Sequence, residues 1–346
     1  MKILGRKVDN AIAASLAIIS IGIGLTEAKA DRLADVKKAG VLHCGVVPGV
    51  PGYAFPNKAG KMTGFDVDLC RAVAAAVLGD ADKIKTTKMS LPVAFNAMKA
   101  GAVDLVTHRF TWTFGRDVGQ GLDFTRVMVF DGQGFMVRKS LGVKSAKELN
   151  GATFCQSAGA TTAGNVSDFF RTHGMTFKQV TFGTMGEAQK AYDAKRCDVY
   201  VTDKFGLGAR RLSMTNPDEH MILPETISNE PISPMVGHGD QVWKDIVVWT
   251  FNSLISAEEF GITSKNIDDM RKNNKNPFVQ RILGVTGKFG AKIGLGKDWA
   301  YNAIKAVGNY GEIWEKHLGK DSRLKMGRGK NTLYTKGGLL ISPPFR

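Results

Sequence analysis

Arg116 lies in the run FTWTFGRD (residues 110–117), which follows the stretch GAVDLVTH after one intervening residue, Arg109. A planar guanidinium at the end of such a stretch can pair both oxygens of one carboxylate. Thr111, five residues earlier, adds a hydroxyl and a backbone N–H. Further along, AGATT (158–162) sets Ala160 and Thr161 in a turn expected to lead from a strand into a helix. Free amides and the positive end of a helix dipole favour an anion there. Asp203, the last residue of DVYVTD, offers the opposite charge. A cation, an anion-binding turn and a carboxylate together suit an α-amino acid. Each group also has an ordinary role available: Arg116 can pair with Asp117, Asp203 can cap the next helix, and AGATT can be a plain helix start. Their joint placement at three strand ends is what favours a ligand.

Other chemistries find little support. None of the six histidines falls in H-E-x-x-H or in a close pair, and no C-x-x-C occurs. A zinc site, a redox dithiol and any cofactor are therefore not expected. GLGARR (206–211) and GLGKDW (294–299) lack the spacing of a phosphate-binding loop, and no serine sits in G-x-S-x-G. Glu187 and Asp193 read as the wet face of one helix. His108 is the one residue that could act as a general acid, and a strand-end role suits it better.

These side chains need a scaffold, and the chain reads as two repeats of one scheme. GVLHCGVV, KIKTTKM and VDLVTH are strands separated by helices over 64–79 and 91–102, with Asp66 as the N-cap of the first. GATFCQSAG, FKQVTF and DVYVTD repeat the order with two further helices. Strands alternating with helices imply mainly parallel sheets flanked by helices. VMVFDGQGFMVRK (127–139) reads as one strand connecting two lobes, and a second crossing is expected near 225–237. The fold expected is a two-lobed α/β architecture with two hinge strands. Residues 31–131 and 236–320 form lobe 1, 132–235 form lobe 2, and 321–346 are a basic extension. Ligands in open α/β sheets bind beyond the carboxyl ends of strands, which is where Arg116, Thr161 and Asp203 fall.

The first thirty residues stand apart. A start carrying Lys2, Arg6 and Lys7 precedes fifteen uncharged residues and an Ala28-Lys29-Ala30 end. This is a secretory leader cleaved after Ala30, since a membrane span needs about 20 apolar residues. The mature protein is expected to be soluble and exported. The formal net charge is +15, and residues 316–346 hold eight Lys/Arg against one Asp. Elsewhere the signs are mixed, so nucleic acid is not an expected partner, and the tail reads as solvated. Four cysteines in an oxidising compartment suggest disulfides. Of the three pairings possible, the division into halves favours Cys44 with Cys70 and Cys155 with Cys197. Cys44 lies on a strand and Cys70 on the apolar stripe of the following helix. The second pair both read as strand residues, so register decides whether they meet, and four buried thiols are the alternative.

GFDVDLCRAVA (64–74) resembles the signature of the polar amino-acid family of bacterial periplasmic solute-binding proteins. DGQGFMVRKSLGVKSAKELNGAT, RCDVYVTD, WTFNSLISAEEFGITSKN and AVGNYGEIWEKHLG are similar to its general L-amino-acid-binding subgroup. The resemblance covers nearly all of 31–346. It implies a monomeric receptor, located in the periplasm, that delivers an L-amino acid to the permease of an ABC transporter. It also implies that Arg116 and Thr111 hold the ligand carboxylate, with Thr161 at the helix start of lobe 2 and Asp203 on the ammonium. The family's aromatic wall falls at Val50 to Tyr53, and Leu91 completes the expected set. The run THRF (107–110) departs from the subgroup's pattern, putting Arg109 and Phe110 in new places, and Ala163 replaces an acid. The side-chain pocket is therefore expected to differ. Two alternatives follow from the same resemblance: an exported dehydratase of cyclic amino acids or prephenate-like acids, of the cyclohexadienyl or arogenate type, and a receptor whose binding is altered or lost.

Overall fold

A computed structural model describes residues 31–107 and 109–346. The leader expected over 1–30 and the strand-end place expected for His108 lie outside the described residues.

The chain opens with α1 (Arg32–Ala39), β1 (Leu42–Val46), the short pair β2 (Phe55–Pro56) and β3 (Met62–Thr63), and α2 (Phe65–Leu78). It continues with β4 (Ile84–Lys88), α3 (Leu91–Lys99), β5 (Leu105–Val106), α4 (Phe114–Gly119), β6 (Leu122–Phe124) and β7 (Val129–Asp131). Then come β8 (Gln133–Arg138), β9 (Thr153–Ser157), α5 (Thr162–Thr172), β10 (Lys178–Phe182), α6 (Met185–Asp193), β11 (Val199–Asp203) and α7 (Lys204–Arg211). β12 (His220–Ile222), β13 (Glu230–Ile232), β14 (Met235–Gly237) and α8 (Gln241–Glu259) follow. The last helices are α9 (Ile267–Asn273), α10 (Pro277–Ile282), α11 (Phe289–Lys292), α12 (Trp299–Val307) and α13 (Tyr310–His317).

Two five-stranded sheets organise two lobes. The first has the order β4-β1-β5-β14-β6, with β14 antiparallel to both of its neighbours. The second has the order β10-β9-β11-β8-β12, with β8 antiparallel to both of its neighbours. Each sheet thus carries one reversed strand in fourth place. All five residues of β11 are buried, as expected of a strand covered on both faces. Between the lobes β7 pairs antiparallel with β13, from Val129↔Ile232 to Asp131↔Glu230, making a two-stranded hinge.

Several local expectations are corrected. The stretch 127–139 is two strands rather than one, broken at Gly132, where a Cβ would stand 2.6 Å from the Ser228 carbonyl oxygen. The N-cap of α2 is Gly64, not Asp66. Gly64 has φ of +135°, and a Cβ there would stand 2.1 Å from the Tyr53 carbonyl oxygen, so only glycine fits. Asp66 falls instead inside the first turn, facing the core. Glu187 completes a capping box with Thr184 at the head of α6 rather than serving only as a wet face.

The disulfides are Cys44–Cys70, joining β1 to α2, and Cys155–Cys197. Cys197 lies on the turn entering β11 and not on a strand, which lets it reach β9 from outside the sheet register. Loops closed over 26 and 42 residues stabilise the lobes by about 3–4 kcal/mol each in the chain-entropy account.

The basic tail is packed, not solvated. Leu333, Leu340 and Phe345 are buried in the same core as α2, α8 and α12. The side chain of Asn331 accepts from the Phe130 N–H at 2.6 Å and donates to the Phe130 carbonyl at 3.0 Å, extending hinge strand β7 as a further strand would. The cations of the tail are therefore spread along a strap anchored by Leu333, Leu340 and Phe345, while Tyr334, Leu339 and Ile341 are exposed. α9–α11 likewise lie on the first lobe, which contributes Ile267, Val279, Ile282 and Leu283 to that core.

Candidate functional site

The site forms where β5 leaves the first lobe. Its exit segment runs along the hinge: Thr111 bridges Ile232, Trp112 N–H donates to the Pro231 carbonyl at 2.8 Å, and Ser233 N–H donates to Phe110. This pairing carries Thr111 to Glu230, the first residue of β13. Glu230 is buried, and its carboxylate accepts from the hydroxyls of Thr111, Thr161 (3.2 Å) and Ser228 (2.6 Å) and from the Asn165 amide (2.8 Å). Gln133 supports the second-lobe side by donating to Thr161 at 2.9 Å and Thr162 at 3.1 Å. Groups from both lobes thus converge on one hinge carboxylate.

Arg116 sits in α4, whose N-cap is Thr113. Its guanidinium donates to the Thr111 carbonyl at 3.0 Å and, across the interlobe gap, to the Gly159 carbonyl at 2.9 Å. It lies over the rings of Phe95 and Phe110, at 5.5 and 5.8 Å. Burial lowers its pKa, while Glu230 and Asp203 act the other way. Gly159 has φ of +74°, and a Cβ there would stand 3.2 Å from Pro92, so the second-lobe turn rests on the head of α3 beside Leu91. Ala160 packs against an interlobe cluster that joins Leu91 and Phe110 of the first lobe to Met185 of the second.

Asp203 takes the N-cap position of α7, yet its side chain caps nothing. It lies 3.7 Å from the guanidinium of Arg109 instead. Arg109 is buried, with its guanidinium 4.9 Å from the Tyr53 ring and 3.6 Å from the Met185 sulfur. The approach requires Gly206 on α7, where a Cβ would stand 2.5 Å from Arg109 Nη1. The Nε and Nη1 of Arg109, the Tyr53 hydroxyl and Asp66 Oδ2 have no hydrogen-bond partner among the described residues. Burial pushes the Asp66 carboxyl up to about 7 against the pull of Arg109. Asp131 and Asp203 are also raised, by burial first, and for Asp131 by repulsion from Asp203.

A pocket of about 390 Å³ opens between the lobes beside this cluster. Its first-lobe wall is Val47, Pro48 and Gly49 with the β4–α3 corner, and Ser157 and Met185 face it from the second lobe. Leu91 is part of its lining; Arg116, Asp203, Thr111, Thr161, Ala160 and Arg109 are not, and Val50 and Tyr53 lie in the first-lobe core, where the chain turns inward at the Val50–Ala54 bridge. Glu230, Gln133 and Asn165 were not singled out from the sequence. An acid just before Pro231 inside the second crossing was the available signal, and its significance depends on the pairing of β7 with β13.

Two lobes, a two-strand hinge and an interlobe polar cluster describe a receptor that closes on a solute. Residues 42–282 match the family described as bacterial extracellular solute-binding proteins, family 3. The chain belongs to that family. This solute-binding protein is 48% identical over 337 residues to the general L-amino acid-binding periplasmic protein AapJ of Rhizobium johnstonii, covering 97% of this chain and 98% of that one. It is 46% identical to the glutamate/glutamine/aspartate/asparagine-binding protein BztA of Rhodobacter capsulatus, covering 97% and 99%. An ABC-transporter periplasmic binding protein from Brucella ovis, solved with glutathione bound, superposes with a TM-score of 0.89 at 47% identity. That match covers 92% of this chain and all of the other. The solute-binding protein therefore shares its strap and its α9–α11 region with full-length relatives.

Proposed function

We propose that this solute-binding protein captures an L-amino acid, or a small conjugate of one, between its lobes and delivers it to the permease of an ABC transporter. It acts as a monomer, in the periplasm, after cleavage behind Ala30. Residues 31–131 and 236–320 move as one lobe against 132–235, and the protein carries out no chemistry on its ligand. The observation that supports this most is the interlobe contact in which the Arg116 guanidinium holds the neutral Gly159 carbonyl across the gap. A ligand carboxylate exchanges that neutral acceptor for a charged one, roughly doubling the strength of the bond. Thr111, Thr161 and the Ala160 turn flank it, and Asp203 with Glu230 receives the ammonium. Two guanidinium groups, Arg109 and Arg116, stand against those two carboxylates. A neutral zwitterion adds no net charge to this cluster. The relatives whose names specify amino acids support this ligand class.

Calorimetry with the twenty L-amino acids and small γ-glutamyl peptides tests the reading. At least one should bind the wild type. Arg116→Ala should abolish that binding, at a cost of about 3–5 kcal/mol for the carboxylate left buried and unpaired. Unchanged affinity removes Arg116 from the site. Turnover of a bound amino acid seen by mass spectrometry would replace the receptor with an enzyme.

A further inference from the structure

The interlobe pocket carries a charge asymmetry that the grip on the α-amino and α-carboxyl groups leaves unused. Lys88, the last residue of β4, lines it, is exposed, and has no ion-pair partner among the described residues. No Asp or Glu is in the lining. Glu187, the nearest acid along α6, is engaged in its capping box, where Oε2 accepts from Thr184 N–H at 2.9 Å. Ser90 stands beside Lys88 at the N-cap position of α3, yet its hydroxyl caps nothing. Leu91 and Met185 give the lining apolar surface, and the Met185 sulfur, 3.6 Å from Arg109, links the pocket to the arginine cluster. The volume of about 390 Å³ lies within the roughly 300–1,000 Å³ of sites that enclose drug-sized ligands. That is more space than the side chain of one ordinary amino acid fills.

We propose that Lys88 is a specificity-determining residue that receives a distal carboxylate. The preferred ligands are then amino acids with an elongated side chain ending in an acid, up to the size of a γ-glutamyl dipeptide. This rests on the function proposed above, because the α-groups must be held at Arg116 and Asp203 for the side chain to run toward Lys88. The physical basis is simple. A cation in a cleft with no protein counter-charge attracts an anion, and closure strengthens that attraction by removing water. The same field repels arginine and lysine side chains.

The test is calorimetry on the full mature chain with γ-L-glutamylglycine, its C-terminal amide and L-leucine. The free acid should bind the wild type about tenfold more tightly than the amide, the scale of one hydrogen bond to a charged group. Lys88→Met should erase that difference while leaving leucine unchanged, and Lys88→Glu should reverse it. Because Lys88 is exposed, both variants should keep the wild-type melting temperature. Equal affinity of acid and amide for the wild type overturns the proposal, as does a Lys88→Met loss shared equally by leucine. Binding of leucine with exclusion of γ-glutamylglycine overturns it too. Those outcomes leave the receptor reading intact. A wild type that binds none of the three, nor any amino acid, removes both.

Discussion

At the scale of single residues, the site is a balance of buried charges. Arg109 faces Asp203, Asp66, Asp131 and Tyr53 at once, and burial raises the pKa of all three acids. Asp66 is the clearest case, because its Oδ2 has no partner and its pKa stands at about 7. A carboxyl raised above its unfolded value of about 3.9 stabilises the fold when protonated. Its contribution is complete below about pH 4 and is lost as the pH rises through about 7. Asp66→Asn should therefore flatten the stability profile between pH 4 and 8 and raise stability at pH 8 by about 2–4 kcal/mol. Urea denaturation at pH 5 and 8 measures this, and an unchanged slope contradicts it. Asp68, four residues from the N-cap, behaves oppositely. Burial would raise it, but bonds from His317 at 2.6 Å and Lys316 at 2.8 Å outweigh burial and hold it well below the carboxylate range. Its contribution is present at neutral pH and fades only in strong acid.

At the scale of elements, two close approaches set the site. α7 passes Arg109 only because position 206 is glycine. Gly206→Ala should push the guanidinium off Asp203 and lower stability by about 1–3 kcal/mol, as other overpacked sites do. The same variant should weaken ligand binding, which calorimetry separates from the stability loss. The other approach is the exit of β5 along β13. β5 itself has only two residues, Leu105 and Val106, much shorter than VDLVTH suggested. Asp104 and Thr107 on either side still donate their N–H groups to the β1 carbonyls of His43 and Gly45, and the segment from Phe110 onward pairs with the hinge instead, bringing Thr111 to Glu230. Periodicity gives no sign of such a change of partner, because the residues are apolar in either arrangement.

At the scale of the whole molecule, the hinge is not bare. The C-terminal strap binds β7 through Asn331, and Arg328 pairs with both oxygens of Glu258 on α8, at 2.5 and 3.0 Å. Tyr310 adds a bond to the Met128 carbonyl at 2.7 Å, just before β7. One strand of the hinge is thus held to the first lobe along its length, and closure must bend the chain beyond it, near Gly132. Asn331→Ala should leave the Phe130 N–H and carbonyl unpaired and cost about 1–3 kcal/mol. Small-angle scattering should then show a wider spread of lobe separations without ligand, whereas a profile identical to wild type would show that the strap does not govern closure.

The sequence by itself determined the two-lobed α/β scheme and the pairing of lobes with cysteines. Both follow from local alternation and division of the chain into halves, which need no knowledge of distant contacts. Only the tertiary structure decided which charges meet. Asp203 lies against Arg109, Glu230 collects Thr111 and Thr161, and the basic tail packs against the hinge. Such partnerships join residues from about seventy to two hundred positions apart. Coulomb and hydrogen-bond energies depend on distances of a few ångström, which the order of residues along the chain does not specify.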